Sequence, residues 1–441
     1  MNVHTTIENS GVDLFPNSIG DRISASTRGI DAVLIPAAAI QRKVTSLGEE
    51  GALGGIALKQ IQVWFFLDNS CVVYNDQLRE AFHIYGAIYK KWRILGGMEW
   101  GIPCSDERGT PDGVGRFVAF NNHEAAIYWT PETGANGIWG PVRAKWADMG
   151  WETSPLGYPV VDTRPTPDGL GQFSLFSKGA IYSTDETGAR AVLGTIYDHW
   201  ARMGSERSYL GYPTSDESPF PDGGWTSEFQ NGSIYCWADT GAIDLGDVVV
   251  HYTGLYCYGE TDVDGFSTSD EPYVIISRFS AQGAVTSRSV IYDDVEPGEA
   301  RPDHIEIYRG RPYGLTIGTV LMEHSNGDPD RHETVVRDAV LTAYQAGIDV
   351  VKDVFGAAVA NFLKYWLNKV MPDVAGWIGG ALGLDDRQID SATTVLSAKN
   401  MVLLAARAPN LERHGIVFKV ESHLLSGWGA SYKAHYGIVP A

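Results

Sequence analysis

The strongest constraint on the fold is an internal repeat. Trp92, Trp146 and Trp200 stand 54 residues apart, and so do Gly86, Gly140 and Gly194. Tyr74, Tyr128, Tyr182 and Tyr235 keep that step to within one residue. A turn recurs as Trp100–Pro103 (WGIP), Leu156–Pro159 (LGYP) and Leu210–Pro213 (LGYP). Pro-Asp-Gly follows at Pro111, Pro167 and Pro221, and Thr-Gly at Thr133, Thr187 and Thr240. This many matched positions mean that one supersecondary unit is built several times, and that neighbouring units bury their apolar faces against one another.

Each unit opens on a short helix. In PVRAKWADMG, Val142, Trp146 and Met149 form one apolar stripe, and Gly150 stops the helix. In Leu-Gly-Tyr-Pro the glycine is free to take φ > 0 and the proline fixes the exit. Pro-Asp-Gly makes a second turn. Two strands, Gly171–Phe176 and Gly179–Thr184, then form a hairpin through Ser-Lys. A degenerate first copy spans 37–55 and 63–74, without the Trp, the Pro and the Pro-Asp-Gly. Residues 22–35 look like the end of a unit, and no fifth helix follows Gly246. That phase offset lets terminal strands pair and close a ring, as in circular propellers. The expected fold is mainly β with short helices. Residues 1–246 form a closed, propeller-like array of four or five units, with an open solenoid as the alternative.

The motifs Leu-Gly-Tyr-Pro, Pro-Asp-Gly, Gly-Ser-Ile-Tyr and Thr-Gly-Ala at this period resemble the LGFP repeat, over residues 22–246. The resemblance implies an extracellular or cell-surface protein of the kind found in actinobacteria and some fungi, mycolyltransferases and amidases among them, with the repeat anchoring it to the cell envelope. The family often carries His after Gly-Ala in the closing motif; here those positions are Asn136, Arg190 and Ile243.

A Trp at the same place in every helix fills the space between units. Trp129, Trp139, Trp151, Trp225 and Trp237 do not recur. These five are the ligand-binding candidates, because an exposed Trp stacks on sugar faces while a nearby Asp or Asn bonds the hydroxyls.

After Gly246 the period ends, and 247–441 reads as a β-sandwich carrying a helical segment at 331–407. Acidic residues gather between its strands: Asp262, Asp264 and Asp270, then Asp293 and Asp294, then Asp328. Three such loops at one end of a sandwich supply the oxygen ligands of Ca²⁺, the expected cofactor. GLYCYGETDVDGFSTSDEPYVII (Gly254–Ile276) resembles the first metal loop of the calcium-dependent membrane-docking sandwiches first described in protein kinase C, with one Glu inserted after Ser-Asp. That resemblance makes Asp264 and Asp270 metal ligands. Within the helical segment, Val351, Phe355, Ala358, Phe362 and Tyr365 share a stripe. A further helix is expected over 386–407, and two strands over Gly415–Val439 around a Gly-Trp-Gly link.

A net charge of −20 argues against nucleic acid or an anionic membrane as a direct electrostatic partner. Cys71, Cys104, Cys236 and Cys257 show no metal spacing and read as buried thiols. The first twenty residues lack the pattern of a secretory signal, and no 18-residue apolar run is present. GxSxG, HExxH and the phosphate-loop motif are missing, so a non-enzyme is expected. Three functions remain: a cell-surface or cell-envelope protein that binds a glycan or envelope polymer, a membrane-active effector or pore-forming toxin using 331–407, and a hydrolase in the C-terminal half.

Overall fold

The computed structural model describes residues 35–260, 270–325, 327–355 and 387–441. Contacts divide the chain into two compact units, Met1–Leu193 and Gly194–Ala441.

In the first unit, helix α1 (35–46) precedes a four-stranded sheet of β1 (Ile56–Lys59), β2 (Val63–Phe66), β3 (Ser70–Asn75) and β4 (Glu80–Tyr85). Helix α2 (Gly86–Leu95) leads to the second sheet: β5 (Arg108–Gly109), β6 (Arg116–Phe120), β7 (Ala125–Thr130) and β8 (Gly134–Trp139). Helix α3 (Gly140–Asp148) leads to the third: β9 (Arg164–Pro165), β10 (Gly171–Phe176), β11 (Gly179–Thr184) and β12 (Gly188–Leu193). Every sheet is an antiparallel meander of consecutive strands. Successive strand residues point to opposite faces, and the cores follow that rule. Ala125 and Ile127 of β7 face Trp92 and the first sheet. Ala126 and Tyr128 face Trp146 and the third sheet. A single helix therefore lies between neighbouring sheets, and its Trp fills the gap.

The repeated turns behave as their residues require. Gly150, just beyond α3, has φ +100°, and Gly157 in Leu-Gly-Tyr-Pro has φ +71°, a region costly for a side chain. Trp92, Trp146 and Trp200 are all fully buried. The four cysteines are free thiols, three of them buried and Cys236 partly so.

The second unit begins with helix α4 (Gly194–Met203) and a fourth meander: β13 (Ser218–Phe220), β14 (Gly224–Phe229), β15 (Gly232–Trp237) and β16 (Gly241–Leu245). This sheet is completed by its own fourth strand, because the residues after each Thr-Gly turn return alongside the hairpin. A ring closed by exchanged terminal strands therefore finds no support among the described residues; residues 22–34 lie outside them.

The rest of this unit is two larger sheets over one core, with a two-stranded sheet of β23 (Leu411–Arg413) and β24 (Ile416–Phe418). One sheet has the order β20 (Ala300–Gly310), β17 (Val248–Gly259), β27 (Ala430–Pro440), β25 (Val420–Glu421), with β26 (Leu425–Gly427) also on β27. The other runs β19 (Gly283–Arg288), β18 (Pro272–Ser280), β21 (Leu315–Glu323), β22 (Arg387–Leu396). Val250, Tyr252 and Tyr436 of the first meet Val274, Ile276 and Ile317 of the second. Phe220, Tyr235, Trp237 and Leu245 of the fourth repeat join the same core, which is why the contact division falls one repeat before the end of the sequence period.

The expected helix over 386–407 divides in two. Residues 387–396 form a strand paired along β21, with Ile389, Ala392 and Leu396 buried and the β-branched run Thr393–Val395 suited to a sheet. Ser397 then caps helix α6 (Ala398–Ala406), its hydroxyl accepting from the Asn400 N–H at 3.2 Å. Helix α5 (Pro329–Phe355) packs Val336 and Val340 against Tyr273, Ile275 and Met322. Residues 356–386 and the side chains of Val351 and Phe355 lie outside what is described.

His435 on β27 is fully buried, with Phe418 edge-on at 4.5 Å. Burial holds its pKa down at about 4, although Glu421 pulls it upward. The imidazole is neutral when folded and gains a proton near pH 6.5 when unfolded. Its contribution is thus complete above pH 6.5 and lost as pH falls from 6.5 toward 4. Melting temperatures should fall over that window, and His435→Gln should flatten the slope. An unchanged slope would remove His435 from the account.

Candidate functional site

The second repeat breaks the pattern where a cleft opens. Between the helix Trp and the following turn it is two residues shorter than the third, running Trp92 to Trp100 against Trp146 to Leu156. Between its two central strands it is two residues longer, with Asn121–Glu124 in place of Ser177–Lys178. The changes cancel, so the period survives. Asn121, Asn122 and His123 take φ of +50°, +51° and +72°, a local strain of about 1–3 kcal/mol each of the kind that persists where the surroundings hold it. Asn121 fastens the loop to the turn: its Oδ1 accepts from the Ile102 N–H at 3.0 Å and its Nδ2 donates to the Trp100 carbonyl at 3.3 Å.

Between loop and helix lies a cleft of about 660 Å³ lined by Trp100, Asn121, His123, Glu124, Trp139 and Arg143. Trp100 stands where Leu156 and Leu210 stand in the next units, Trp139 where Tyr85 and Leu193 stand, and Arg143 where Tyr89 and Tyr197 stand. Trp100 and Trp139 meet edge to face at 5.7 Å, and Trp100 is backed by Phe120 at 5.1 Å. Both indoles are partly exposed.

Arg143 lies in the first turn of α3. Its guanidinium covers the Trp151 ring at 4.8 Å, and Trp151 in turn packs edge to face on the buried Trp146 at 5.3 Å. Arg143 Nε has no hydrogen-bond partner, and burial draws the pKa of the group below its ordinary value. Trp151 takes φ +58°, as Ser205 does at +55° and Gly97 at +61° in the same 3₁₀ turns. Backbone strain there belongs to the scaffold, and the indole supports Arg143.

A smaller cleft of about 310 Å³ holds Tyr85, Ile88, Glu107, Arg116 and Trp129. Its cation is already engaged, because Arg116 is paired with Glu107. Trp225 is 48% exposed on β14, opposite Cys236. Trp237 is a correction to the ligand candidates. It is 2% exposed and donates from Nε1 to the Pro221 carbonyl at 3.2 Å. It closes over Gly224, where any Cβ would strike the indole at 2.5 Å. Its indole packs into the core it shares with the sandwich, beside Phe220 and Tyr235.

The acidic residues do not assemble a metal site among the described residues. Asp270 is 2% exposed, and its Oδ2 accepts from the Tyr432 hydroxyl at 2.7 Å. Asp293 and Asp294 are exposed, and their carbonyls accept from Arg301. Asp328 Oδ1 accepts from the Asp330 and Arg331 N–H groups at the start of α5. Asp262 and Asp264 lie outside the described residues. Asp270→Ala would take the carboxylate acceptor from the buried Tyr432 hydroxyl, leaving it only the Cys257 thiol, at about 1–3 kcal/mol. Denaturation with and without Ca²⁺ should give the same loss; a loss confined to the calcium arm would restore the metal reading.

Residues 101–154, 156–208 and 210–252 match the family model of the LGFP repeat. These three segments are LGFP repeats. No curated protein matches the sequence. Among solved structures, the extracellular domain assigned to the one component system BT4673 from B. thetaiotaomicron is 9% identical over 62% of this chain, with a TM-score of 0.12. This chain covers 48% of that structure, about half its length, and so slight a likeness carries no argument. The first matched segment holds the cleft residues other than Trp100, which directly precedes it, and its Trp139, Arg143 and Trp151 are departures from its neighbours. Trp100, Arg143 and the loop Asn121–Glu124 were not among the sequence candidates. The signal for them was the uneven step of Pro-Asp-Gly, 56 residues from Pro111 to Pro167 but 54 onward to Pro221.

Proposed function

We propose that the protein is a non-catalytic, cell-surface or cell-envelope binding protein that takes a glycan or envelope polymer in the Trp100–Trp139 cleft of its first matched LGFP repeat. The observation carrying this reading is the convergence of non-periodic residues on one cleft: two partly exposed indoles, with Asn121, His123, Glu124 and Arg143 beside them. Aromatic walls with a few polar groups, in a volume within the usual few hundred to a thousand cubic ångströms, suit a saccharide of a few rings. The LGFP repeats support placement at a cell surface.

The membrane-active reading has less support. The apolar face of the first half of α5 is spent on the sandwich, and no helix among the described residues is long and apolar enough to cross a membrane. A glycan array followed by titration of the tightest ligand tests the proposal. Binding that Trp139→Ala removes supports it, and an array without any ligand contradicts it.

A further inference from the structure

We infer that the ligand of this cleft is an acidic saccharide, whose carboxylate is held by Arg143 while a sugar ring lies against Trp100 and Trp139. The inference rests on the glycan reading of the same site and adds the charge of the ligand. Three observations carry it.

First, Arg143 is a cation without a counter-ion. It makes no hydrogen bond or ion pair among the described residues, in a chain with twenty more acidic than basic side chains. The other cleft's Arg116 has its Glu107, and Arg143 has no carboxylate on it, Glu124 of its own cleft included. Second, the cation is fixed in place. The Trp151 face holds the guanidinium at 4.8 Å, and Trp151 is itself wedged on Trp146, so little side-chain freedom remains to be lost on binding. An Arg held flat in this way presents two parallel donors that match a carboxylate. Third, the site lies at the start of α3, where Gly140 and Ala144 of the helix line the cleft. The N–H groups of a first turn favour negative charge.

The same observations limit the ligand. A net charge of −20 opposes a densely charged polyanion at long range. Glu124 on the rim accepts from hydroxyls and repels a second carboxylate. The fit is therefore to isolated carboxylates on an otherwise neutral sugar chain, as in uronate-containing oligosaccharides.

The test uses the full chain and matched pairs in which uronates are spaced by neutral sugars: oligosaccharides of glucuronoxylan and of hyaluronan, and their carboxyl-reduced forms, titrated at 0.15 M salt. The wild type should bind the acid form of at least one pair about tenfold or more tighter than its reduced form. Arg143→Gln should abolish that preference by weakening the acid form alone, Arg143→Lys should keep part of it, and Trp139→Ala should weaken both forms. Circular dichroism melts show that each variant folds. Equal affinity for both forms, or an Arg143→Gln loss shared by both, would overturn the inference. If a neutral glycan binds and no uronate does, the inference fails and the glycan reading stands. If no saccharide binds at all, both fail.

Discussion

Trp146→Ala should destabilise the first unit by about 3–5 kcal/mol. The indole is fully buried between the second and third sheets, touching Tyr128 edge to face at 4.7 Å and Phe176 at 5.5 Å. Its removal leaves a cavity between two rigid sheets that cannot close over it. Its Nε1 has no hydrogen-bond partner among the described residues, so packing accounts for its whole contribution. Trp146→Phe should accordingly cost much less than the alanine variant. Urea melts of both check this; equal losses would mean that the site depends on something other than filled volume. Because Trp151 rests on Trp146, the alanine variant should also weaken ligand binding in conditions where it remains folded.

Trp139→Ala should have the largest effect on binding, about 2 kcal/mol or close to thirtyfold in affinity, the scale of an aromatic anchor in a partly desolvated pocket. Trp139 ends β8 immediately before α3, so its indole stands beside both the loop Asn121–Glu124 and the helix start. Its backbone N–H is held by Thr163 Oγ1 at 3.4 Å, and that contact survives the substitution. The variant should stay folded, since Trp139 lies at the rim of the core around Trp92 and not within it. Ile94→Ala, at an apolar side chain 78% exposed on α2, provides the comparison for a merely apolar surface change.

What was legible in the sequence follows from how burial is distributed. Residues that pack between units recur, so the period exposed Trp92, Trp146, Trp200 and the paired strands. The flanking strands β5, β9 and β13 gave no signal, because two or three residues with mostly exposed side chains carry no alternation. Residues 387–396 read as helix because small and polar residues between Ile389 and Leu396 obscured a two-residue period. Non-recurrence pointed to Trp139, which lines the cleft, and misled at Trp237, whose indole is buried in the sandwich core. Trp151, another of the five candidates, does not line the cleft; it stands behind it, beneath the Arg143 guanidinium. Arg143 itself was hidden because a lone Arg in a helical stripe has no pattern. Its meaning comes from the stacking beneath it and the missing counter-ion.

The most direct measurement is calorimetric titration of the tightest array ligand into wild type, Trp139→Ala, Ile94→Ala and Trp225→Ala. A roughly thirtyfold loss is expected in Trp139→Ala, and wild-type affinity in Ile94→Ala and Trp225→Ala. Unchanged affinity in Trp139→Ala, or a loss carried by Trp225→Ala instead, would contradict it.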